Sequence, residues 1–413
     1  MIAAIQSQSA PSPVGAAQSK ELPPRSELSR RNLLGATAAA GTLAAASAAA
    51  PGFAQSGQPQ WGPGPAPLLG SELPSFRYPL GEKPAKTYPG GWAKEATVAE
   101  FPVSDKLAGV LMQLAPGGLR ELHWHANAAE WAYVLKGRCR VTTIDPQSRS
   151  QIADFGPGDV WYFPRGFGHS IEGIGPGDCL FILVFDNGYF SEFGTFSITD
   201  WLAHTPPEVL AKTFGVPAQS FAPFPKDEVY IAKGPVPPPL PTEPAPGSLD
   251  SGPLTHRYQL LAQRPETFAG GTLRVVSERQ FPISRTVTGA ILRINPGGLR
   301  ELHWHPNADE WQYYIAGRGR MTVFGSHGRA RTEEFSAGDV GYVPTGYGHY
   351  IENTGSEDLE ILIAFNNGTY EAINITAWMA ANPRLLLATN FGVPESTFEK
   401  FPHREVVIPE GKR

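Results

Sequence analysis

Hydrophobic residues along this chain fall in short blocks, each broken within a few positions by Gly, Pro or Asp, and few blocks are long enough for a helix. Blocks 109–115, 130–135, 138–144, 160–163 and 180–185 are rich in β-branched and aromatic residues and predict strands. Blocks 289–295, 310–315, 318–324, 340–343 and 359–365 predict a second set in the same order. Helix is expected only near the end of each half. There Thr205-Pro206-Pro207-Glu208 opens PPEVLAKTFG with a capping residue, prolines in the first turn and an early acid, and Asn382-Pro383 opens its counterpart. The pattern is that of an all-β chain.

The second set of strands is a repeat of the first. PGGLRELHWH occurs at Pro116–His125 and again at Pro296–His305, 180 residues later. Glu130-Trp131 and Gly137 recur as Glu310-Trp311 and Gly317, and Gly158, Pro164, Gly166 and His169 recur as Gly338, Pro344, Gly346 and His349. The offset holds through Phe185 and Phe365 but is 177 by Trp201 and Trp378, so the first half carries three extra residues within 188–196. An insertion in an otherwise faithful repeat marks the half that was elaborated.

At 413 residues the repeat implies two domains, each large enough for its own core. The expected division is an N-terminal domain over 77–230, a Pro-rich linker over 231–253 and a C-terminal domain over 254–413, with an extended Gly- and Pro-rich arm over 55–76. Gly 45 and Pro 41 suit many strands joined by tight turns. A net charge of -5 provides no basic field for nucleic acid. Ser29-Arg30-Arg31-Asn32-Leu33-Leu34 precedes an Ala-rich run over 35–50 and resembles a twin-arginine export signal spanning 1–54, with cleavage after Ala54. That route implies the twin-arginine export machinery as a partner and a periplasmic or secreted protein with no membrane association after cleavage. Proteins using it cross already folded, so a weakly held metal can be inserted before competitors are met. Cys139 and Cys179 could pair in such a compartment, although their strand-like surroundings favour two buried thiols.

Candidate chemistry lies in the repeat. Residues two apart on a strand point the same way, so His123 and His125 can reach one metal from one face; Glu130 opens the next strand and His169 comes from a distant one. His303, His305, Glu310 and His349 form the second set. Three imidazoles and one carboxylate are neither the thiolate set of structural zinc nor the oxygen set of calcium, and they suit Mn(II) or Fe(II) with two open positions. Of the ten histidines, His204, His256, His327 and His403 lie outside both sets and read as ordinary polar residues.

The spacing Gly-x5-His-x-His-x4-Glu-x6-Gly followed by Gly-x5-Pro-x-Gly-x2-His resembles the two cupin motifs, and its duplication with RELHWH and EW resembles the bicupin oxalate decarboxylases. The resemblance runs from about Tyr78 to the C-terminus and includes DWLAHTP and FGVP. It implies two tandem double-stranded β-helix (jelly-roll) barrels with short C-terminal helices, two Mn(2+) per chain, dioxygen as co-catalyst, and conversion of oxalate to formate and carbon dioxide. Trimers or hexamers are implied as well. Arg120 lies an odd number of residues before His123, so alternation leaves its direction open; the resemblance places it, and Arg300 in the second half, beside bound oxalate. It also places Glu192 on a mobile loop over the first site as the proton donor. Ser191-Glu192 fits that loop's motif, whereas Phe193-Gly194 departs from the usual Asn-Ser, which leaves oxalate oxidase, releasing hydrogen peroxide, as an alternative. A Glu that bacterial members carry near the second site is replaced by Ile363. A non-catalytic exported Mn-binding or storage bicupin is the remaining alternative, and Arg120 with Glu192 argues against it.

Overall fold

Each predicted hydrophobic block becomes a strand because it has one face to bury, and the repeat supplies the partner surface. The computed structural model describes residues 73–241 and 255–411, so the export-signal reading over 1–54, most of the arm and most of the linker lie outside the described residues. In the first half a seven-stranded antiparallel sheet faces a six-stranded one, and in the second a seven-stranded sheet faces a five-stranded one. Strands Ala108–Leu114, Glu130–Lys136, Asp159–Phe163 and Cys179–Phe185 lie side by side in the first large sheet. Strands Gly118–Trp124, Cys139–Ile144, Ser150–Phe155 and Gly168–Gly173 form the smaller one. Thr288–Ile294, Glu310–Ala316, Val340–Val343 and Leu359–Phe365 repeat the large sheet in the second half.

The halves exchange their leading strands. Arg77–Tyr78 pairs with Gly341 and Val340 of the second half, and Arg257–Gln259 pairs with residues 159–161 of the first. Leu73 and Phe76, from the end of the predicted arm, are buried in the second half's core. At the other end, Ile231–Lys233 forms a strand on Gly118–Arg120, so the first three residues of the predicted linker belong to a sheet and the prolines begin only at Pro235. Pro removes a ladder donor and Ile-Ala-Lys does not, which is why the strand stops there.

Between the halves lies a core shared by both, in which Trp131, Tyr133 and Ile182 meet Trp311, Tyr313 and Leu362. Its tightest contacts are reciprocal: a Cβ at Gly109 would fall 2.1 Å from Cζ2 of Trp311, and one at Gly289 would fall 2.1 Å from Cζ2 of Trp131. Each indole of an EW pair thus lies on a glycine of the opposite half. Cys139 and Cys179 are both buried free thiols.

Helices Pro207–Phe214 and Arg384–Phe391 form where the prolines, with an early acid in the first copy only, predict them, but the capping differs. Their N-caps are Pro206 and Pro383, with no side-chain cap, and Thr205 and Asn382 instead bond back to Trp201 O and Trp378 O. Those side chains close two helices that the hydrophobic pattern hides, Ile198–Ala203 and Ile375–Ala380. No described helix is long and apolar enough to cross a membrane.

Because the indole and glycine leave no space between the halves, Gly289→Val is expected to overpack that contact and destabilise the chain by about 1–3 kcal/mol. Chemical denaturation monitored by tryptophan fluorescence reads this as a lower midpoint; an unchanged midpoint would show that the two halves do not depend on the contact.

Candidate metal centre

His123 and His125 sit on either side of Trp124 at the end of Gly118–Trp124, Glu130 begins the neighbouring strand of the other sheet, and His169 faces His123 across the ladder. The structure brings these four together, and likewise His303, His305, Glu310 and His349, with the ligand atoms of each group lying within 4.8 Å of one another. Ligand bonds of about 2 Å place donors roughly 3–4 Å apart around a first-row ion, so both groups fit one. The Nε2 atoms of His123, His125 and His169 and Oε2 of Glu130 are buried and have no hydrogen-bond partner among the described residues. Four buried polar atoms converging unsatisfied would cost several kcal/mol without a cation to take them, on the order of 1–3 kcal/mol each.

The remaining ring nitrogens are fixed by backbone. His123 Nδ1 donates to Glu121 O at 2.6 Å and His169 Nδ1 to Phe167 O at 2.9 Å, which leaves each Nε2 as the ligating atom. Gly166, at φ 79, turns the chain so that its N–H reaches His125 O at 2.8 Å, joining the Pro-x-Gly motif to the His-x-His motif. Burial pushes the His123 and His303 imidazoles well below their usual pKa, with Arg120 and Arg300 adding to it, so both rings are held neutral as metal ligation requires.

Beyond the ligands the two groups differ in what holds the carboxylate. Trp161 Nε1 donates to Glu130 Oε1 at 2.6 Å, whereas Gln312 Nε2 donates to Glu310 Oε1 at 2.7 Å. Trp161 stands across the ladder from Ala132, and Gln312 across from Gly341, so each half pairs one donor with one small residue on opposite strands.

A β-bulge settles the direction of Arg120. Ladder partners jump from His169↔His123 to Ile171↔Arg120, which places one extra residue on the His strand and turns Arg120 to the same side as His123. Leu122 takes up the extra step and is 51% exposed, whereas Arg120 is fully buried. Arg300 is re-aimed by the same irregularity in the second half.

Above the first group lies the loop with the insertion. Phe190 packs on His125 at 4.9 Å as Tyr370 packs on His305 at 5.7 Å, and Phe196 and Ile373 pair with Trp124 and Trp304. The three extra residues therefore fall within 191–195, against only Glu371 and Ala372 opposite. Glu192, fully buried in a 3-10 turn, accepts from Arg120 Nε at 2.8 Å and lies 3.7 Å from His123 Nε2 and 3.5 Å from His125 Nε2. Burial raises its pKa, but Arg120 and His125 outweigh that and hold it at about 2. Arg120 also donates to Thr195 Oγ1 at 2.6 Å and to Tyr230 O at 3.3 Å, and stacks 4.0 Å from the Tyr230 ring. Phe193, the departure from Asn, packs on Tyr230 at 5.5 Å under Lys86 Nζ at 3.4 Å, and Ser191 Oγ donates to Glu95 at 2.9 Å. Both contacts hold the loop down.

Among the described residues the second group has no such acid. Arg300 donates to Asn374 Oδ1 at 2.6 Å, Ile363 and Tyr370 line the space beside Glu310, and Glu371 is exposed and contributes its carbonyl, which accepts from His305 Nδ1 at 2.6 Å. Thr195, Tyr230, Trp161 and Glu121 were not singled out by spacing. Glu121, two residues before His123, accepts from Thr199, Val229 and Tyr230 and clamps the segment that leads into the strand Ile231–Lys233. Its recurrence as Glu301, which accepts from Thr376 and Val407, was the available signal.

Residues 80–220 and 258–398 each match the Cupin family. The chain is 48% identical over 294 residues to oxalate decarboxylase OxdC of Bacillus subtilis, covering 71% of this chain and 76% of that one. A probable oxalate decarboxylase of Arthroderma benhamiae is 35% identical over 341 residues, 81% and 83% of the two chains. The chain belongs to the bicupin oxalate decarboxylase family. A solved structure of Bacillus subtilis oxalate decarboxylase, described for its Mn(II) centres, superposes with a TM-score of 0.79 at 41% identity over 83% of this chain and 90% of that one. A variant of that enzyme altered across a Ser-Glu-Asn-Ser segment superposes equally well, at 0.78 and 40% identity. This bicupin differs from such a segment at Phe193 and Gly194.

If the two groups each hold one ion, the double substitution His123→Ala and His125→Ala halves the bound metal. Elemental analysis is expected to fall from two equivalents per chain to about one, a loss of at least tenfold in affinity at the altered group. Retention of two equivalents would count against the ligand assignment.

Proposed function

We propose that this bicupin is a manganese-dependent oxalate decarboxylase, converting oxalate and a proton to formate and carbon dioxide at its first metal centre. The single observation that carries this reading is Glu192 buried over His123 and His125 in an ion pair with Arg120. His123, His125, Glu130 and His169 would hold one Mn(2+), and His303, His305, Glu310 and His349 the other. Manganese bound there would anchor the substrate anion electrostatically and take part in electron transfer with dioxygen as co-catalyst.

The chain's own residues supply the rest. Arg120, fixed through Glu192, Thr195 and Tyr230, presents a rigid cation to a carboxylate beside the cage and stabilises the charge that builds up as the C–C bond breaks. Glu192, ionised at rest, accepts the proton of the oxalate monoanion. As carbon dioxide leaves, the same carboxyl returns that proton to the carbon that becomes formyl, so one residue serves both transfers. Phe193 on Tyr230 and Ser191 on Glu95 keep this acid in place and water out while the intermediate lives. Arg300 would bind an anion at the second centre, but with Ile363 beside it and Glu371 exposed no acid among the described residues pairs with Arg300 over the ligands as Glu192 does with Arg120, so that centre is structural or redox-supporting.

An opened loop would leave the intermediate unprotonated, so that dioxygen would oxidise it to a second carbon dioxide and be reduced to hydrogen peroxide, the oxalate oxidase outcome. The closed packing of Phe193 favours formate. Trp201, Phe214, Leu385 and Phe391, exposed on the helices that end each half, support a homo-oligomer, a trimer or hexamer. Arg30-Arg31 ahead of the Ala-rich run supports export through the twin-arginine route to the periplasm or medium.

Mn-loaded protein supplied with oxalate in air is expected to release formate and carbon dioxide in equal amounts, with peroxide a minor product. Peroxide equal to or above formate would replace the decarboxylase reading with the oxidase, and metal binding without either product would replace it with a binding protein.

A further inference from the structure

The two halves also differ at a buried corner beside the ligand carboxylates. In the second half Asp309, one residue before Glu310, fills that corner and is 1% exposed. Its carboxylate accepts from the Tyr342 hydroxyl, from the Thr345 hydroxyl, from Thr345 N at 2.9 Å and from Lys106 Nζ at 3.1 Å. Subtracting the repeat's offset of 180 places Ala129 opposite Asp309 and Tyr162 opposite Tyr342; adding it places Thr286 opposite Lys106 and Arg285 opposite Asp105. The carboxylate is gone while the phenol remains.

What stands in its place is a cavity of about 620 Å³ lined by Ala129, Tyr162, Arg165, His256, Arg285 and Thr286. That volume is in the range of small-molecule sites, roughly 300–1,000 Å³. The charge is reversed as well. Asp105 and Asp309 stand around Tyr342, with Lys106 paired to Asp309; Arg285 and Arg165 stand around Tyr162, with Asp186 3.2 Å from Arg165. On the rim Arg149 is paired with Asp145 at 2.7 Å. The Arg285 guanidinium has no hydrogen-bond or ion-pair partner among the described residues, its backbone N–H alone being bonded, to Ile283 O at 3.0 Å, and it adds a net positive charge to the cavity. Tyr162 and Thr286 share a hydrogen bond of 2.9 Å, so their hydroxyls can turn toward an acceptor set between them.

We propose that this corner is a binding site for a small carboxylate anion, seated where the Asp309 side chain sits in the other half, with Tyr162 and Thr286 donating hydrogen bonds and Arg285 supplying the charge. Acetate is the free equivalent of the missing aspartate side chain. Oxalate and formate carry the same group, and under the proposed reaction one is consumed and the other released at the neighbouring centre. The occupant would adjoin both Ala129, which precedes Glu130, and Arg165, which precedes the glycine bonded to His125 O.

The test is calorimetric titration of the Mn-loaded protein with acetate at fixed ionic strength, compared across wild type, Arg285→Ala, Arg285→Lys and Ala129→Asp. Wild type is expected to bind one acetate per chain that Ala129→Asp does not, because the introduced carboxylate occupies the niche. Arg285→Ala weakens that event by about tenfold or more, as loss of a charged partner does, and Arg285→Lys restores part of it. Competition by formate or by oxalate against the same event supports the site and names its natural source. Identical acetate isotherms in wild type, Arg285→Ala and Ala129→Asp would overturn the proposal. Acetate binding needs no turnover, so this outcome is separate from any failure of the decarboxylase reading; exposed Arg285 gives a variant that folds even if Ala129→Asp does not.

Discussion

A guanidinium and a carboxylate that are both shut off from water hold the first centre together. Arg120 and Glu192 lose their hydration on burial, and each is compensated only by the other and by a short list of polar neighbours. Removing one partner from such a pair costs about 3–5 kcal/mol, because the other is left as an uncompensated charge. The bulge that turns Arg120 inward, the Thr195 hydroxyl and the Tyr230 ring and carbonyl all serve to satisfy the guanidinium. The same pair draws Glu192 and its loop over the cage. Chemistry and loop closure are therefore one electrostatic arrangement.

Duplication explains why the molecule can afford an asymmetric site. Exchange of the leading strands and the reciprocal packing of Trp131 on Gly289 and Trp311 on Gly109 make each barrel part of the other's support. The strand order of the two halves is the same apart from the added Ile231–Lys233, and the differences around the metal groups lie in one loop and a few buried positions. Three residues within 191–195 give the first half its acid, and their absence leaves His305 bonded to a backbone carbonyl in the second. Trp161 and Gln312 show a second kind of change, in which the same hydrogen bond to the ligand carboxylate is supplied from opposite strands.

The ten predicted strands were legible because each is a short apolar block between Gly, Pro or Asp, and both metal cages were legible because the ligand spacing occurs twice. What escaped was whatever depends on departures from regular periodicity. Arg120 could not be aimed by alternation, since one bulged residue reverses the parity of its strand. The helix Ile198–Ala203 is only six residues long and its N-cap Ser197 makes no side-chain cap, while Thr205, which reads as the cap of the next helix, closes this one instead. Tyr230 sits at the edge of the proline-rich stretch, and its place in the site shows only once the Ile231–Lys233 pairing brings its carbonyl and ring to Arg120. Trp161 reads as an ordinary core residue until its indole is seen to reach Glu130.

The most direct measurement of the central claim is product formation by Glu192→Ala with its metal content determined in the same sample. A carboxyl that moves the proton is expected to take formate production with it, down by at least about a hundredfold, while two manganese ions per chain remain bound. Formate released at near wild-type rate from that fully loaded variant would contradict the account and move the chemistry away from the Arg120–Glu192 pair.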